Sequence, residues 1–480
     1  MFSLACGFGC SRNVLTVGAE KMHGESVETG DRDGAASEAS VADATIADAT
    51  NELVDRHDAT ADADAGAADS TGADVVEADV CISDACSGDA NVCNPNACGG
   101  CGPLDGGTSG ACGQCGQLAC ASTGDAVLCD DPATVSQISA GDHTCALVGL
   151  GGVRCWGWNN VGQLGDGTLN NRLTPPTTNL LSSVRSIAVG NEHTCIVTGT
   201  GGVRCWGGNA FGQTGDGTMI TRNVPPAADV LTGVRSLATG QFHTCAIMET
   251  GGLRCWGAEL LADGVRDTVN PTPPMVDLLT GVKAAAAGQF FTCALFETGG
   301  VRCWGDDAFG QLGDGSTTTR TAPPSTDVFS GVSAVAAGIH HACVLLTTGG
   351  VRCWGDNEDG QLGDGTTTNR MVPPTTDVIG DAVAISAGAL HTCALLRGGA
   401  VQCWGNNDSG EIGDGTLVNR LQPTPTGVTD AVAISAGFFH TCALRTANRI
   451  QCWGSGARGE LGNGAGMDSS TPVDVASFCP

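Results

Sequence analysis

Residues 143–157 read HTCALVGLGGVRCWG, and the same arrangement, H-T-C-A-L followed by G-G-V-R-C-W-G, returns through the rest of the chain. Its Trp-Gly pair stands at Trp156, Trp206, Trp256, Trp304, Trp354, Trp404 and Trp453, with spacings of 50, 50, 48, 50, 50 and 49 residues. Seven of the eight tryptophans hold this one position; Trp158 is the exception. A period near 50 with a fixed Trp marks a propeller or a solenoid. Within one period, Val184–Val189 alternates apolar with small or polar residues, and the β-prone runs Thr194–Val197 and Val203–Trp206 follow. Nothing has helical period. The Gly-Gly pairs at 151–152, 201–202, 299–300 and 349–350 supply the positive φ of a tight hairpin. After each Trp-Gly comes a loop and then G-Q-L-G-D-G-T, near-perfect at 162–168 and 360–366 and looser at 212–218, 310–316, 410–416 and 459–465. The third repeat carries Ala258–Val269 instead. A Pro-Pro pair such as Pro175-Pro176 or Pro373-Pro374 then precedes a last short strand. Seven such units predict an all-β fold, a seven-bladed β-propeller whose ring closure leaves only short edges and whose Trp residues pack between blades. Pro472–Val475 matches the strand after Pro-Pro, and this register predicts that the C-terminal strand completes the first blade.

The repeats resemble those of the regulator of chromosome condensation family, whose units share G-x-x-H-T, W-G-x-N and G-Q-L-G, as in Gly141–Thr144, Trp156–Asn159 and Gly162–Gly165. The resemblance covers about 345 of the 480 residues, and its three motifs recur in order. It implies a seven-bladed propeller and leaves function open, because a fold hosts many functions. Asp-box repeats need S-x-D-x-G-x-T-W, which is missing from the sequence; WD-type blades need Asp after the Trp, where this chain has Gly.

Each repeat also carries C-x9-C: Cys145 and Cys155, Cys195 and Cys205, Cys245 and Cys255, Cys293 and Cys303, Cys343 and Cys353, Cys393 and Cys403, Cys442 and Cys452. Around a hairpin with Leu150 at its tip, Cys145 falls opposite Cys155, within disulfide reach. One disulfide per blade is expected, each worth roughly 2.5–3 kcal/mol in the chain-entropy picture; buried free thiols are the alternative. Nine more cysteines lie in residues 81–129, in a stretch too poor in apolar residues for a core. Nine is odd, so Cys479 is expected to pair into this group, with Cys129 the nearest candidate for a latch. Cys98, Cys101, Cys112 and Cys115 have paired C-x2-C spacing that would also suit zinc. So much cystine points to an oxidising compartment outside the cytoplasm.

The chain therefore divides into 1–17, 18–80, 81–132 and 133–480. Residues 20–80 hold 17 acids against Lys21, Arg32 and Arg56, without an aromatic residue, and read as a disordered acidic linker. Ahead of it, MFSLACGFGCSRNVLTV (1–17) resembles the tail of a bacterial lipoprotein signal, with Cys6 and Cys10 as candidates for lipidation. Residues 81–132 form a small disulfide-rich cap. A net charge of -29 argues against a nucleic-acid partner, and no apolar run reaches the roughly 18 residues of a membrane helix. Two lysines against 20 arginines, with abundant Ala, Gly and Asp, suggest a GC-rich bacterial genome.

No catalytic constellation stands out, and neither G-x-S-x-G nor G-x-x-x-x-G-K occurs; no enzyme, cofactor or metal is expected. His143, His193, His243, His341, His391 and His440 recur at one position, which Phe291 takes in the fourth repeat. A structural hydrogen bond in every blade explains this better than a metal-binding ring. Asp166, Asp216, Asp314, Asp364 and Asp414 of G-D-G-T fit turn chemistry better than calcium. Scaffold positions repeat and binding positions need not, so variation is the sharper signal. The residues just before H-T-C vary and gain Phe242, Phe290, Phe291, Ile339, Leu390, Phe438 and Phe439 from the third repeat onward, an apolar crescent on one face. The loop after Trp-Gly is a second candidate surface (Ala210-Phe211, Glu259-Leu260, Ala308-Phe309, Glu358-Asp359).

The expected function is a monomeric, secreted or surface-anchored bacterial propeller that binds a protein or glycan through one loop face. Extracellular propellers of the family include inhibitors of secreted enzymes, which makes an inhibitor the sharpest version. The resemblance also implies the exchange-factor activity of eukaryotic relatives toward a small GTPase as an alternative, and a metal-dependent enzyme using the histidine ring is a third.

Overall fold

A computed structural model describes residues 134–258 and 269–476, with the backbone of two strands, Gln117–Cys120 and Val127–Asp130, ahead of them. In the first repeat, Val135–Ala140, His143–Val148 and Gly152–Gly157 pair antiparallel in sequence order, and the same three strands recur in all seven repeats. The first strands of successive blades pack side by side around the axis, the seventh (Ala431–Ala436) against the first, so the ring is closed.

Local chemistry sets each blade. The first Gly of the hairpin pair takes positive φ, 82° at Gly201. The second sits where a Cβ would come within 2.0 Å of Asp229, whose carboxylate receives Arg204 Nε at 2.6 Å. This tight turn sets Cys195 opposite Cys205, and in every blade the paired cysteines face each other across the two strands. All seven expected pairs are disulfides: Cys145 with Cys155, Cys195 with Cys205, Cys245 with Cys255, Cys293 with Cys303, Cys343 with Cys353, Cys393 with Cys403, and Cys442 with Cys452. Their Cα–Cα separations are 4.0–4.1 Å. All fourteen sulfurs belong to buried residues, so Cys255, Cys303, Cys353 and Cys403 are part of the scaffold and form no surface for a ligand.

In blades one to five the fourth segment touches the third strand only at its ends, as at Gly157↔Arg172 and Val153↔Leu181. In blades six and seven it is a continuous strand, Arg420–Pro425 and Ser469–Asp474. In the fifth blade seven residues separate Arg370 from Val378, whose N–H donates to Val351 O; in the sixth only five separate Arg420 from Thr426, whose N–H makes the corresponding bond to Val401 O. The earlier blades fit a Pro-Pro pair into that longer path, and proline cannot donate to a ladder.

The core is a set of interblade layers. Trp206 of the second blade packs on the Cys145–Cys155 face of the first, with Leu147, Val153 and Leu164, and every blade repeats the arrangement. At closure Trp156 and Val148 meet Cys442, Cys452 and Leu461.

The C-terminal strand corrects the sequence expectation. Ser469–Asp474 pairs with Ile450–Gly454 and completes the seventh blade, not the first. The first blade already owns Val135–Ala140 as its innermost strand, so each blade is one contiguous repeat and the ring shuts by packing of whole blades.

Gln117–Cys120 and Val127–Asp130 form an antiparallel hairpin in the cysteine-rich region. The expectations for residues 1–17, the acidic linker, Cys6, Cys10, the C-x2-C pairs and the latch between Cys129 and Cys479 lie outside the described residues and side chains.

Candidate protein-binding face

Most motif residues are used in holding the next blade. His143 Nε2 lies 2.6 Å from Thr194 Oγ1 of the second blade. The Thr194 hydroxyl donates to the Gln163 carbonyl at 2.8 Å, and Trp206 Nε1 donates to the same carbonyl at 3.0 Å. With the hydroxyl proton committed to the carbonyl, His143 Nε2–H is the donor to the threonine oxygen. The bond recurs from His193, His243, His341 and His391, and His440 closes it onto Thr144 at 2.7 Å. Where the fourth blade has Phe291, the fifth has Ala342 in place of threonine: donor and acceptor are lost together, and the two pack in one apolar cluster. Gly165, the last residue of G-Q-L-G, has room only for hydrogen because Trp206 Nε1 would lie 2.5 Å from its Cβ.

The histidines are therefore not available as a metal-binding ring. All six are buried, and burial lowers them to about 3 (His143, His193, His341, His391) or about 4 (His243, His440), so their rings are neutral. Among the described residues no group of three His, Cys, Asp or Glu is placed to hold a metal ion. The Asp of G-D-G-T is likewise used within its own loop. Asp166 accepts from Thr168 N at 2.9 Å and Thr168 Oγ1 at 2.7 Å and pairs with Arg172 at 2.6 Å. These hydrogen bonds outweigh its burial and hold its pKa below the usual carboxylate value.

One face stays open. The start of the second strand and the end of the third lie at the same end of each blade, as His143↔Gly157 shows. The two candidate loops therefore meet there. The carbonyl of the residue before the histidine position accepts from the first loop residue after Trp-Gly, as in Asp306 N to Phe290 O and Asp356 N to His340 O, both 2.9 Å. The loop of one blade then leans on the next blade. Phe211 meets Phe242 at 4.6 Å between ring centroids, Phe242 meets Phe290 at 5.1 Å, and Phe309 stacks on His340 at 4.6 Å. These five side chains are half-buried, and Phe439, further round, is 43% exposed. The two surfaces separated in the sequence are one surface.

Its members have distinct places. Ile339 and Phe438 line the mouth of the central axis together with the seven glycines before the variable pair. That mouth holds only about 70 Å³, and bonds such as Phe438 N to Gly141 O at 2.9 Å belt it. Phe242, Phe290, Leu390 and Phe439 stand outside that ring. Phe291 corrects the expectation: it is 1% exposed and belongs to the blade interface, because it occupies the histidine position. Glu259 and Leu260 lie outside the described residues.

The same face is acidic. Asp306 and Asp356 accept from Gln311 Nε2 and Gln361 Nε2 at 2.8 and 2.9 Å, and Asp359 accepts from Asn419 Nδ2 at 2.8 Å. In blades six and seven the loop glutamine becomes Glu411 or Glu460, which still accepts from the backbone two residues earlier. Burial raises Glu411 to about 7, Glu460 in the same direction, and the nearby Asp142 and Asp307 to about 7 and about 6. Besides the arginines paired with the Asp of G-D-G-T, Arg458 brings a cation to this face, 4.0 Å above the Trp158 ring. Sequence reasoning named Glu358 and Asp359 within this loop but missed Asp306, Asp356, Glu411 and Glu460 as members of one acidic face. Their signal was the concentration of Asp and Glu after Trp-Gly in the fourth to sixth repeats.

The regulator of chromosome condensation (RCC1) repeat matches residues 135–163, 184–213, 234–259, 282–311, 332–361, 382–411 and 431–460, and a second description of the repeat matches 151–197 and 348–395. No curated protein sequence matches the chain. Among solved structures, yeast RCC1 (Prp20) bound to Kap60 is 21% identical over 70% of this chain and 85% of that one, with a TM-score of 0.60. Prp20p from Saccharomyces cerevisiae, described with its binding properties to Gsp1p and histones, is 21% identical over 72% of this chain and 88% of that one, with a TM-score of 0.58. Human WBSCR16 is 23% identical over 65% and 88%, with a TM-score of 0.57. At these identities the likeness is one of fold.

Proposed function

We propose that this chain, which belongs to the regulator of chromosome condensation (RCC1) repeat family, is a non-enzymatic binding module that engages a protein partner through the face bearing Phe242, Phe290, Phe309 and His340. The supporting observation is the aromatic arc Phe211–Phe242–Phe290. Its rings reach solvent in a fold that buries every repeated tryptophan completely. A contiguous aromatic surface is what a protein interface selects. The nearly closed axis favours a face-on partner over a small molecule in the channel.

Seven disulfides favour an oxidising compartment, so the proposed setting is the bacterial cell envelope or exterior. There residues 18–80 would act as spacer, residues 81–132 as cap, and Cys6 or Cys10 as a lipid attachment point. Inhibition of an extracellular enzyme is the sharpest form of this proposal, and a glycan is the alternative ligand. The exchange-factor alternative rests on fold likeness, which transfers no activity.

The test is position-specific photocrosslinking in the native source. A photoreactive residue at Phe242 should capture a discrete protein, while one at Leu150, 85% exposed at the opposite end of the blade, should not. Equal capture at both positions, or only at Leu150, would reject the loop face. Alkylation mass spectrometry of the same protein should find the blade cysteines blocked until reduction; free thiols would reject the proposed compartment.

A further inference from the structure

The chemistry of the partner can be read from how charge is divided between the two ends of the propeller. At the hairpin end cations are matched: Arg204–Asp229, Arg254–Asp277, Arg302–Asp327 and Arg352–Asp377 pair at 2.6–2.7 Å. Of the additional cations there, Arg185 and Arg235 reach Glu249 and Glu297 of the next blade at 2.9 and 3.6 Å, and Lys283 donates to the Ser333 carbonyl at 3.4 Å. At the loop end Arg172, Arg222, Arg320, Arg370 and Arg420 are each taken by the Asp of their own loop, while Asp306, Asp356, Glu358, Asp359, Asp408 and Asp468 form no ion pair among the described residues. These acids continue the aromatic arc around the face. Asp306 follows Phe290 through their backbone bond, and Asp356 follows His340, on which Phe309 stacks. Asp359 then reaches Asn406 of the sixth blade at 3.3 Å, next to Asp408.

Resting on the loop-face reading above, we propose that the partner presents a cationic polypeptide segment, its Arg or Lys side chains set among these carboxylates and its apolar side chains on Phe242 and Phe290. An exposed aromatic ring attracts a cation to its face. Carboxylates without a cation of their own gain by meeting one, and they speed and orient encounter. An acidic partner or a phosphate backbone would meet uncompensated repulsion at the same place.

The test uses the full oxidised chain and two labelled dodecapeptides, repeating Arg-Leu-Gly and repeating Glu-Leu-Gly, read by fluorescence anisotropy. The linker at 20–80 is itself acidic, so variants rather than bare affinity decide. D306N/E358Q/D408N should weaken the Arg peptide about tenfold, and raising salt from roughly 50 to 300 mM should weaken it at least as much. F242A/F290A should weaken it by a similar factor, E249Q/E297Q at the hairpin end should leave it unchanged, and the Glu peptide should bind at least about tenfold more weakly. Intact disulfides by mass confirm that each variant is folded. If F242A/F290A weakens both peptides while the charge triple weakens neither, the face binds protein and the cationic inference is wrong. If neither peptide responds to F242A/F290A, the loop-face reading falls with it.

Discussion

The Phe291–Ala342 pair offers a direct test of what joins the blades. At six interfaces a neutral buried histidine donates to a threonine of the next blade; at the seventh both groups are replaced and the pair is apolar. F291H alone places an imidazole N–H in that site facing a methyl group. An unmet buried donor costs about 1–3 kcal/mol, and lost apolar contact adds roughly 1 kcal/mol. A342T alone crowds the phenyl ring, at about 1–3 kcal/mol, although its hydroxyl can donate to the Gln311 carbonyl that already accepts from Trp354 Nε1 at 3.0 Å. F291H/A342T rebuilds the arrangement of the other interfaces, so the singles should not add. A coupling of about 2 kcal/mol in favour of the double variant is expected. Urea titration of oxidised protein, with m-values compared across the four proteins, measures it. A coupling below about 0.5 kcal/mol would show that the histidine–threonine bond does not hold adjacent blades, and its recurrence would need another cause.

The remaining expectations follow from the same contacts. G202A forces a methyl group against Asp229 and should destabilise the second blade by about 1–3 kcal/mol, with D229A restoring part of the loss; the sixth blade, with Ala400 at this position and Pro425 where blades two to five have Asp, already carries the compensated form. W206F should cost about 1 kcal/mol more than W304F in the same titration, because Trp206 Nε1 donates to Gln163 and Trp304 Nε1 has no partner among the described residues. Stability should fall as pH drops below about 6.5: the six histidines stay neutral down to about 3 or 4 in the folded state but take up protons near 6.5 when unfolded. Asp142, Asp307 and Glu411, raised to about 6 or 7, oppose this by favouring the folded state as they protonate. The histidines outnumber them, and a melting temperature that rises from pH 7 to pH 5 would refute the assignment.

The fold was legible because its determinants repeat. A tryptophan every 50 or so residues, a hairpin that aligns two cysteines and a loop of fixed length each state one requirement seven times over, or nearly so. The disulfides followed from that hairpin alone: once the Gly-Gly turn is placed, Cys255, Cys303, Cys353 and Cys403 have one cysteine each directly opposite. Pairing of the last strand was not legible. Pro472–Val475 looks like an outer strand in any register, and whether it joins the seventh blade or the first depends on which strand begins a blade. That turns on Val135–Ala140, whose register shifts after its first residue and whose sequence lacks the motif signature of its neighbours. Phe291 was misread for a related reason. Beside Phe290 it looks like one more exposed aromatic residue, and only its alignment with His243 and His341 places it in the interface. The matching loss at Ala342 was visible in the sequence, but nothing before the structure tied a residue of one repeat to a residue 51 positions later.

That cross-repeat tie explains why one face is free to vary. The histidine, the threonine, the glutamine carbonyl and the tryptophan of neighbouring repeats constrain one another through buried bonds, so a change at one requires a change at its partner, as Phe291 and Ala342 show. The residues between Gly and His escape this constraint, because their backbone makes the shared bonds. The carbonyls of Glu192, Phe242, Phe290, His340, Leu390 and Phe439 all accept from the loop after Trp-Gly, whatever their side chains. A position whose main chain is structural and whose side chain is not can be acidic in one blade and aromatic in the next without disturbing the ring. The aromatic arc and the unpaired carboxylates beside it both arise at such positions or in the adjoining loops, where selection for a partner can act without cost to the scaffold.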